Sequence, residues 1–101
     1  MLLLVVVAVA AMAEVVAGRS VGSGEYPRPA AWEVSMRAGD EARARGDAPA
    51  ARRAYLTALF RARGERSLPG VVRAAEGFEA LGDREVVEQA LKIAAELRVR
   101  Q

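Results

Sequence analysis

A chain of 101 residues with 52% apolar content and a formal charge of +2 fits one small domain. It contains neither Cys nor His. That excludes disulfides, thiolate and imidazole metal ligands, Cys nucleophiles, His general bases and every triad built on them. Fifteen basic and thirteen acidic residues are closely interspersed, so the excess of positive charge does not by itself imply nucleic acid or an anionic membrane surface.

The chain opens MLLLVVVAVAAMAEVVAG, whose one charge is Glu14. Residues 1–17 are apolar on every side, which predicts a membrane anchor or a targeting segment. As a helix the run would be about 26 Å long, slightly short of a ~30 Å hydrocarbon core, a gap that local thinning closes. No basic residue precedes it, as a secretory signal would require, although Ala11-Met12-Ala13 offers a small-x-small cleavage site. Arg19 and Arg28 follow the run, so a retained helix would leave the remainder on the cytoplasmic side. A retained membrane helix is the reading adopted; the alternative is cleavage and export of the remainder. Residues 18–29, GRSVGSGEYPRP, have no sustained period and read as a linker. Their Gly-Ser-Gly lacks the strand before it and the Gly-Lys-Ser/Thr after it that a phosphate loop requires.

Residues 30–101 read as an all-α domain of four helices. The first is expected from Ala30 to Arg45, with Trp32, Ser35, Met36, Gly39 and Ala42 on one side. The second is expected from Ala48 to Arg63, with Asp47 as N-cap, Pro49 in the first turn and Gly64 as the stop. Its stripe is Ala51, Tyr55, Ala58, Leu59 and Ala62. The third is expected from Leu68 to Leu81, capped by Ser67, with Val71, Ala74, Ala75, Phe78 and Leu81 inward. The fourth is expected from Arg84 to Arg98, capped by Asp83, with Val87, Ala90, Leu91, Ala94 and Ala95 inward. Arg45-Gly46-Asp47 spells an adhesion tripeptide, but Gly46 is placed to end one helix and Asp47 to cap the next. It therefore reads as a corner.

The Gly-Asp pair of Gly46-Asp47 returns at Gly82-Asp83, 36 residues later, and aligning the two corners pairs small or apolar residues throughout. Ala51 falls on Val87, Tyr55 on Leu91, Ala58 on Ala94 and Leu59 on Ala95, while Gly39 falls on Ala75 and Ala42 on Phe78. From Trp32 to Val99 this resembles the tetratricopeptide repeat, a 34-residue helix-turn-helix unit, with two extra residues in the connection RARGERSLPG. Gly39 matches the family's first-helix glycine, and Ala51-x3-Tyr55 followed by Ala58 matches its A-x3-F element. The match is partial: Ser35, Ala38 and Ala42 stand at the Trp, Leu and Tyr positions. In the second unit Phe78 holds the Tyr position, Ala75 replaces the glycine and Val87-x3-Leu91 replaces A-x3-F. Arg63 and Val99 stand where the terminal proline is usual. Two units are fewer than the three usually needed for a free-standing solenoid, and LRVRQ supplies no polar capping helix. The four helices are therefore expected either to close into a bundle or to leave an open end that packs against something else.

The resemblance implies a concave groove that binds a segment of a partner protein. Position by position, that groove would present Glu33, Met36, Asp40 and Arg43 from the first unit and Val72, Glu76 and Glu79 from the second, a largely acidic surface suited to a basic or amphipathic segment. Met36 and Asp40 stand where the family's carboxylate clamp needs Lys and Asn, so a C-terminal carboxylate is not the expected ligand. An ordinary solvated helix face is the alternative reading of Glu76 and Glu79. Among catalytic candidates, Asp40-Glu41 and Glu76 with Glu79 are carboxylate pairs, but nothing in the pattern builds the desolvated pocket that acid-base work needs. No enzyme activity, metal or cofactor is expected. Arg61, Arg63 and Arg66 are the densest basic run; Glu65 interrupts it, no aromatic is interleaved, and cations at a helix C-terminus complement the dipole without a ligand. Nucleic acid is not expected. The sequence thus reads as a membrane-tethered interaction module, a scaffold or accessory subunit. The alternatives are an exported soluble binding protein and a purely structural subunit.

Overall fold

The computed structural model describes residues 28–100, and every described element is an α-helix. The hydrophobic segment 1–17 and most of the expected linker lie outside the described residues. The helices are α1 (Ala31–Ala44), α2 (Ala48–Gly64), α3 (Leu68–Leu81) and α4 (Arg84–Arg100). Each packs on the next in chain order, and α1 also reaches α3. No helix among the described residues is long and apolar enough to cross a membrane.

Three corners of one design turn the chain. Each of α1, α2 and α3 is closed by a residue with left-handed backbone: Gly46 (φ 80°), Arg66 (φ 56°) and Gly82 (φ 76°). The amide of the residue after it then reaches back to a carbonyl of the last turn. Asp47 N donates to Ala42 O at 2.9 Å, Ser67 N to Ala62 O at 2.8 Å, and Asp83 N to Phe78 O at 3.0 Å. This bond belongs to the Schellman motif, which satisfies carbonyls that a helix end leaves unpaired. Glycine at φ 80° avoids the Cβ strain an L-residue meets there. The Arg-Gly-Asp tripeptide is thus a corner, as its spacing predicts.

The next helix starts at once. Asp47 Oδ1 accepts from Ala50 N at 3.1 Å and Ser67 Oγ from Gly70 N at 3.0 Å, with proline in the first turn of both helices. Asp83 holds the corresponding position through its carbonyl, which accepts from Val87 N at 3.2 Å. Its carboxylate accepts instead from Arg52 Nε at 2.7 Å, tying the α3–α4 corner to α2. At the head of α1, Glu33 Oε1 reaches back to Ala30 N at 2.8 Å.

The core is built on Tyr55, Phe78 and Val71, all fully buried, with Ala51, Ala58, Ala62, Ala74, Ala90 and Ala94 closing around them. Small residues let the helices approach closely. Tyr55 lies between Gly39 of α1 and Gly77 of α3: a methyl group at Gly39 would stand 2.4 Å from Tyr55 Cε1, and one at Gly77 3.0 Å from three ring atoms. Phe78 meets the same ring edge-on, with centroids 5.9 Å apart at 67°, a favoured aromatic geometry.

All five residues of the α2 stripe are buried, as are Ser35, Met36, Gly39 and Ala42 of α1. The fourth helix differs from expectation. Leu91 is 52% exposed and Ala95 is exposed, while the buried residues are Ala90, Ala94 and Leu97. The apolar surface of α4 is wider than the side that α3 covers, and the periodicity marks the whole surface without saying which part has a neighbour.

Candidate partner-binding face

α1 and α3 lie side by side, and between them is a recess of about 230 Å³ lined by Trp32, Glu33, Met36, Arg37, Asp40 and Arg73. Its floor follows from helical spacing. Trp32, Met36 and Asp40 recur every four residues along α1, the spacing that stacks side chains on one face. Met36 is only 3% exposed and offers little more than an edge, so Trp32, partly buried against the core, supplies most of the apolar contact.

The polar side chains of this face are joined to one another. Tyr55 Oη donates to Asp40 Oδ1 at 2.7 Å and accepts from Arg43 Nε at 3.1 Å. Arg73 lies with Nη2 3.6 Å from Asp40 Oδ2 and donates from Nη1 to Glu76 Oε1 at 3.0 Å. One chain of contacts therefore runs from α2 through α1 to α3. Burial raises the Tyr55 hydroxyl above its ordinary value of 10.0; the Arg43 hydrogen bond works the other way and the Asp40 carboxylate adds to the rise. The Arg43 guanidinium is also raised, chiefly by its hydrogen bond to Tyr55, and stays cationic throughout.

Of the residues singled out in the sequence, Glu33, Met36 and Asp40 are brought to this recess. Arg43 and Glu76 join its network from either side. Val72 is half-buried against the core. Glu79 lies elsewhere, in a separate recess of about 430 Å³ at the α3–α4 corner with Gly82, Arg84, Val87 and Glu88. Sequence spacing did not single out Trp32, Arg37 or Arg73 for this face. The i, i+4 relation of Trp32 to Met36 was available as a signal for the first. Nothing local to α3 says that Arg73 spans to Asp40.

The local charge balance also changes. Two carboxylates and two guanidiniums line the recess, and the carboxylates of Glu33, Asp40 and Glu76 all have partners. Arg37 has no charged or hydrogen-bonding partner among the described residues. Glu41, Glu76 and Glu79 are exposed, so neither carboxylate pair sits in a desolvated pocket. Among the described residues there is no group of three or more acidic side chains placed to hold a metal. Of the basic run, Arg61 Nη1 donates to Ser35 Oγ at 2.9 Å, which satisfies that buried hydroxyl and holds α2 to α1.

No family model matches the chain, and no curated relative or solved structure matches it.

Proposed function

We propose that the chain is a membrane-tethered, tetratricopeptide-like interaction module whose α1–α3 face binds a segment of a partner protein, as a scaffold or accessory subunit. One observation carries this reading: successive helices stack through corners of one design, two of them Gly-Asp pairs 36 residues apart, and leave α1 and α3 side by side around an open recess. In this reading residues 1–17 fix location and the following stretch gives reach.

The chemistry of the recess favours the amphipathic half of the sequence-based expectation over the basic half. Trp32 offers an apolar contact at its floor. Asp40 lies against Arg43 and Arg73 and Glu33 accepts from the Ala30 amide, while Arg37 is the guanidinium of the recess without a partner among the described residues. A helix or extended segment with an apolar residue over Trp32 and an acidic one opposite Arg37 fits best.

The experiment compares partners retained with the full chain after mild detergent extraction of the native membrane. Trp32→Ala with Arg37→Glu should lose the same polypeptide that wild type keeps, while Glu65→Arg, at the exposed α2–α3 corner, should keep it. Retention by both variants would remove the recess from the reading. The tether is tested by intact mass: a full-length species confined to membranes supports it. A soluble species beginning near Glu14 or Arg19 would move the reading to the exported alternative, for which Ala11-Met12-Ala13 is the supporting feature.

A further inference from the structure

The side of α2 that carries Tyr55 and Ala62 is covered by α3: Phe78 and Gly77 lie on Tyr55, and Gly70 lies against Ala62. Thirty-six residues on, the corresponding side of α4 carries Leu91 and Arg98, and among the described residues no helix lies over it. Arg84, Glu88, Leu91, Ala95 and Arg98 are all exposed. Their alternating spacing of four and three residues forms one straight stripe, the seam geometry of two helices packed at a shallow angle. Ala90, Ala94 and Leu97 are buried on the side facing α3.

This stripe is complementary to itself when reversed. Placing a two-fold axis between Leu91 and Ala95 sets Leu91 opposite Ala95 of a second copy and Glu88 opposite Arg98 of that copy, each twice. The large side chain meets the small one, and each carboxylate meets a guanidinium. Arg98 of the second copy would also enter the recess at the α3–α4 corner, where Glu79, Arg84 and Glu88 leave one uncompensated negative charge. A parallel arrangement would instead set Glu88 against Glu88 and Arg98 against Arg98, which like-charge repulsion opposes. We infer that the exposed stripe of α4 is a homodimer interface, formed by antiparallel pairing of α4 with α4 of a second copy. One seam lies at the small end of specific interfaces, below about 1,200 Å² in total. Self-association is therefore weak, with a dissociation constant in the micromolar range, on the order of 10 µM.

The test is sedimentation velocity of the full chain in mild detergent across a concentration series. The variants are Glu88→Arg, Arg98→Glu and the two combined, with helix content checked for each because all the altered positions are exposed. Wild type should dimerise reversibly, and each single reversal should raise the dissociation constant at least about tenfold. The combined reversal should restore it to within about threefold of wild type. A monomer at about 500 µM overturns the proposal, whether the stripe is bare or covered by another segment of the same chain. So does a dimer indifferent to the reversals, which would place self-association on another surface. As a second measurement, Leu91→Cys with Ala95→Cys, in a chain that has no cysteine of its own, should give a disulfide-linked dimer under mild oxidation. The recess variants Trp32→Ala and Arg37→Glu should leave sedimentation unchanged, so loss of partner binding and loss of the dimer are separable.

Discussion

α2 and α4 are each 17 residues long, and each carries small or apolar residues four, seven and eight positions apart. Yet Tyr55 is wholly buried and its counterpart Leu91 is 52% exposed, and Leu59 at 4% corresponds to an exposed Ala95. The difference lies in what each helix faces. α2 packs on both α1 and α3, whereas the main packing of α4 is on α3. A stripe of apolar residues states that a helix has a side to hide; it does not state how many neighbours will hide it.

Truncating the two counterparts should separate them most. Tyr55→Ala removes a fully buried ring from between two helices and should cost about 3–5 kcal/mol in a denaturant titration. Leu91→Ala, on an exposed surface, should cost less than about 1 kcal/mol at concentrations where the chain is monomeric. Equal losses would mean that α4 is covered in solution. Gly39→Ala should come next. Its methyl group would stand 2.4 Å from Tyr55 Cε1, and the forced repacking should cost about 1–3 kcal/mol despite alanine's better helix propensity. In a Tyr55→Leu background, with the ring gone, the same change should cost much less or become stabilising.

A smaller effect tests the hydroxyl. Burial raises the Tyr55 pKa above 10.0 in the folded state, so the unfolded chain loses this proton first as pH rises. The stability it contributes is complete below about pH 10 and falls away above it, as pH climbs toward and through the raised folded value. Tyr55→Phe should remove this alkaline component and cost about 0.5–1.5 kcal/mol at neutral pH, since the tyrosine's hydrogen bonds to Asp40 and Arg43 are lost. An unchanged alkaline unfolding profile in Tyr55→Phe would assign that titration elsewhere. The smallest effect belongs to the Arg52–Asp83 pair at 2.7 Å, whose side chains are 52% and 21% exposed. Asp83→Asn should cost less than about 1 kcal/mol and lose even that in high salt.

Most of the local structure was legible in the sequence, because helix starts and stops depend on single residues with short-range jobs. Asp47 and Ser67 cap with their side chains, Pro49 and Pro69 sit in first turns, and Gly46 and Gly82 supply left-handed backbone. Asp83 marked the right place, but its carboxylate turned to Arg52, a partner 31 residues away. The periodicity of α4 marks Leu91 and Ala95 as inward although both are exposed, since among the described residues α4 has on that side no neighbour of the kind α2 has. The same limit applies to the α1–α3 face. Glu33, Met36 and Asp40 could be placed from spacing within α1. The role of Arg73 depends on its reach from α3 to Asp40, and the apparent acidity of the face disappears once such reaches are drawn.

Stacking in chain order also sets how the domain comes apart. α4 rests chiefly on α3, so its detachment uncovers the side of the core that Ala90 and Ala94 close while Tyr55 stays between Gly39 and Gly77. Its amide hydrogens should exchange with solvent through a local opening of lower free energy than global unfolding, while those of α2 wait for the whole domain to open. Trp32 sits on α1, at the opposite end of the stack. Its fluorescence should therefore remain native while α4 has already detached, and a melt followed at that indole alone would overstate the stability of the chain's last helix.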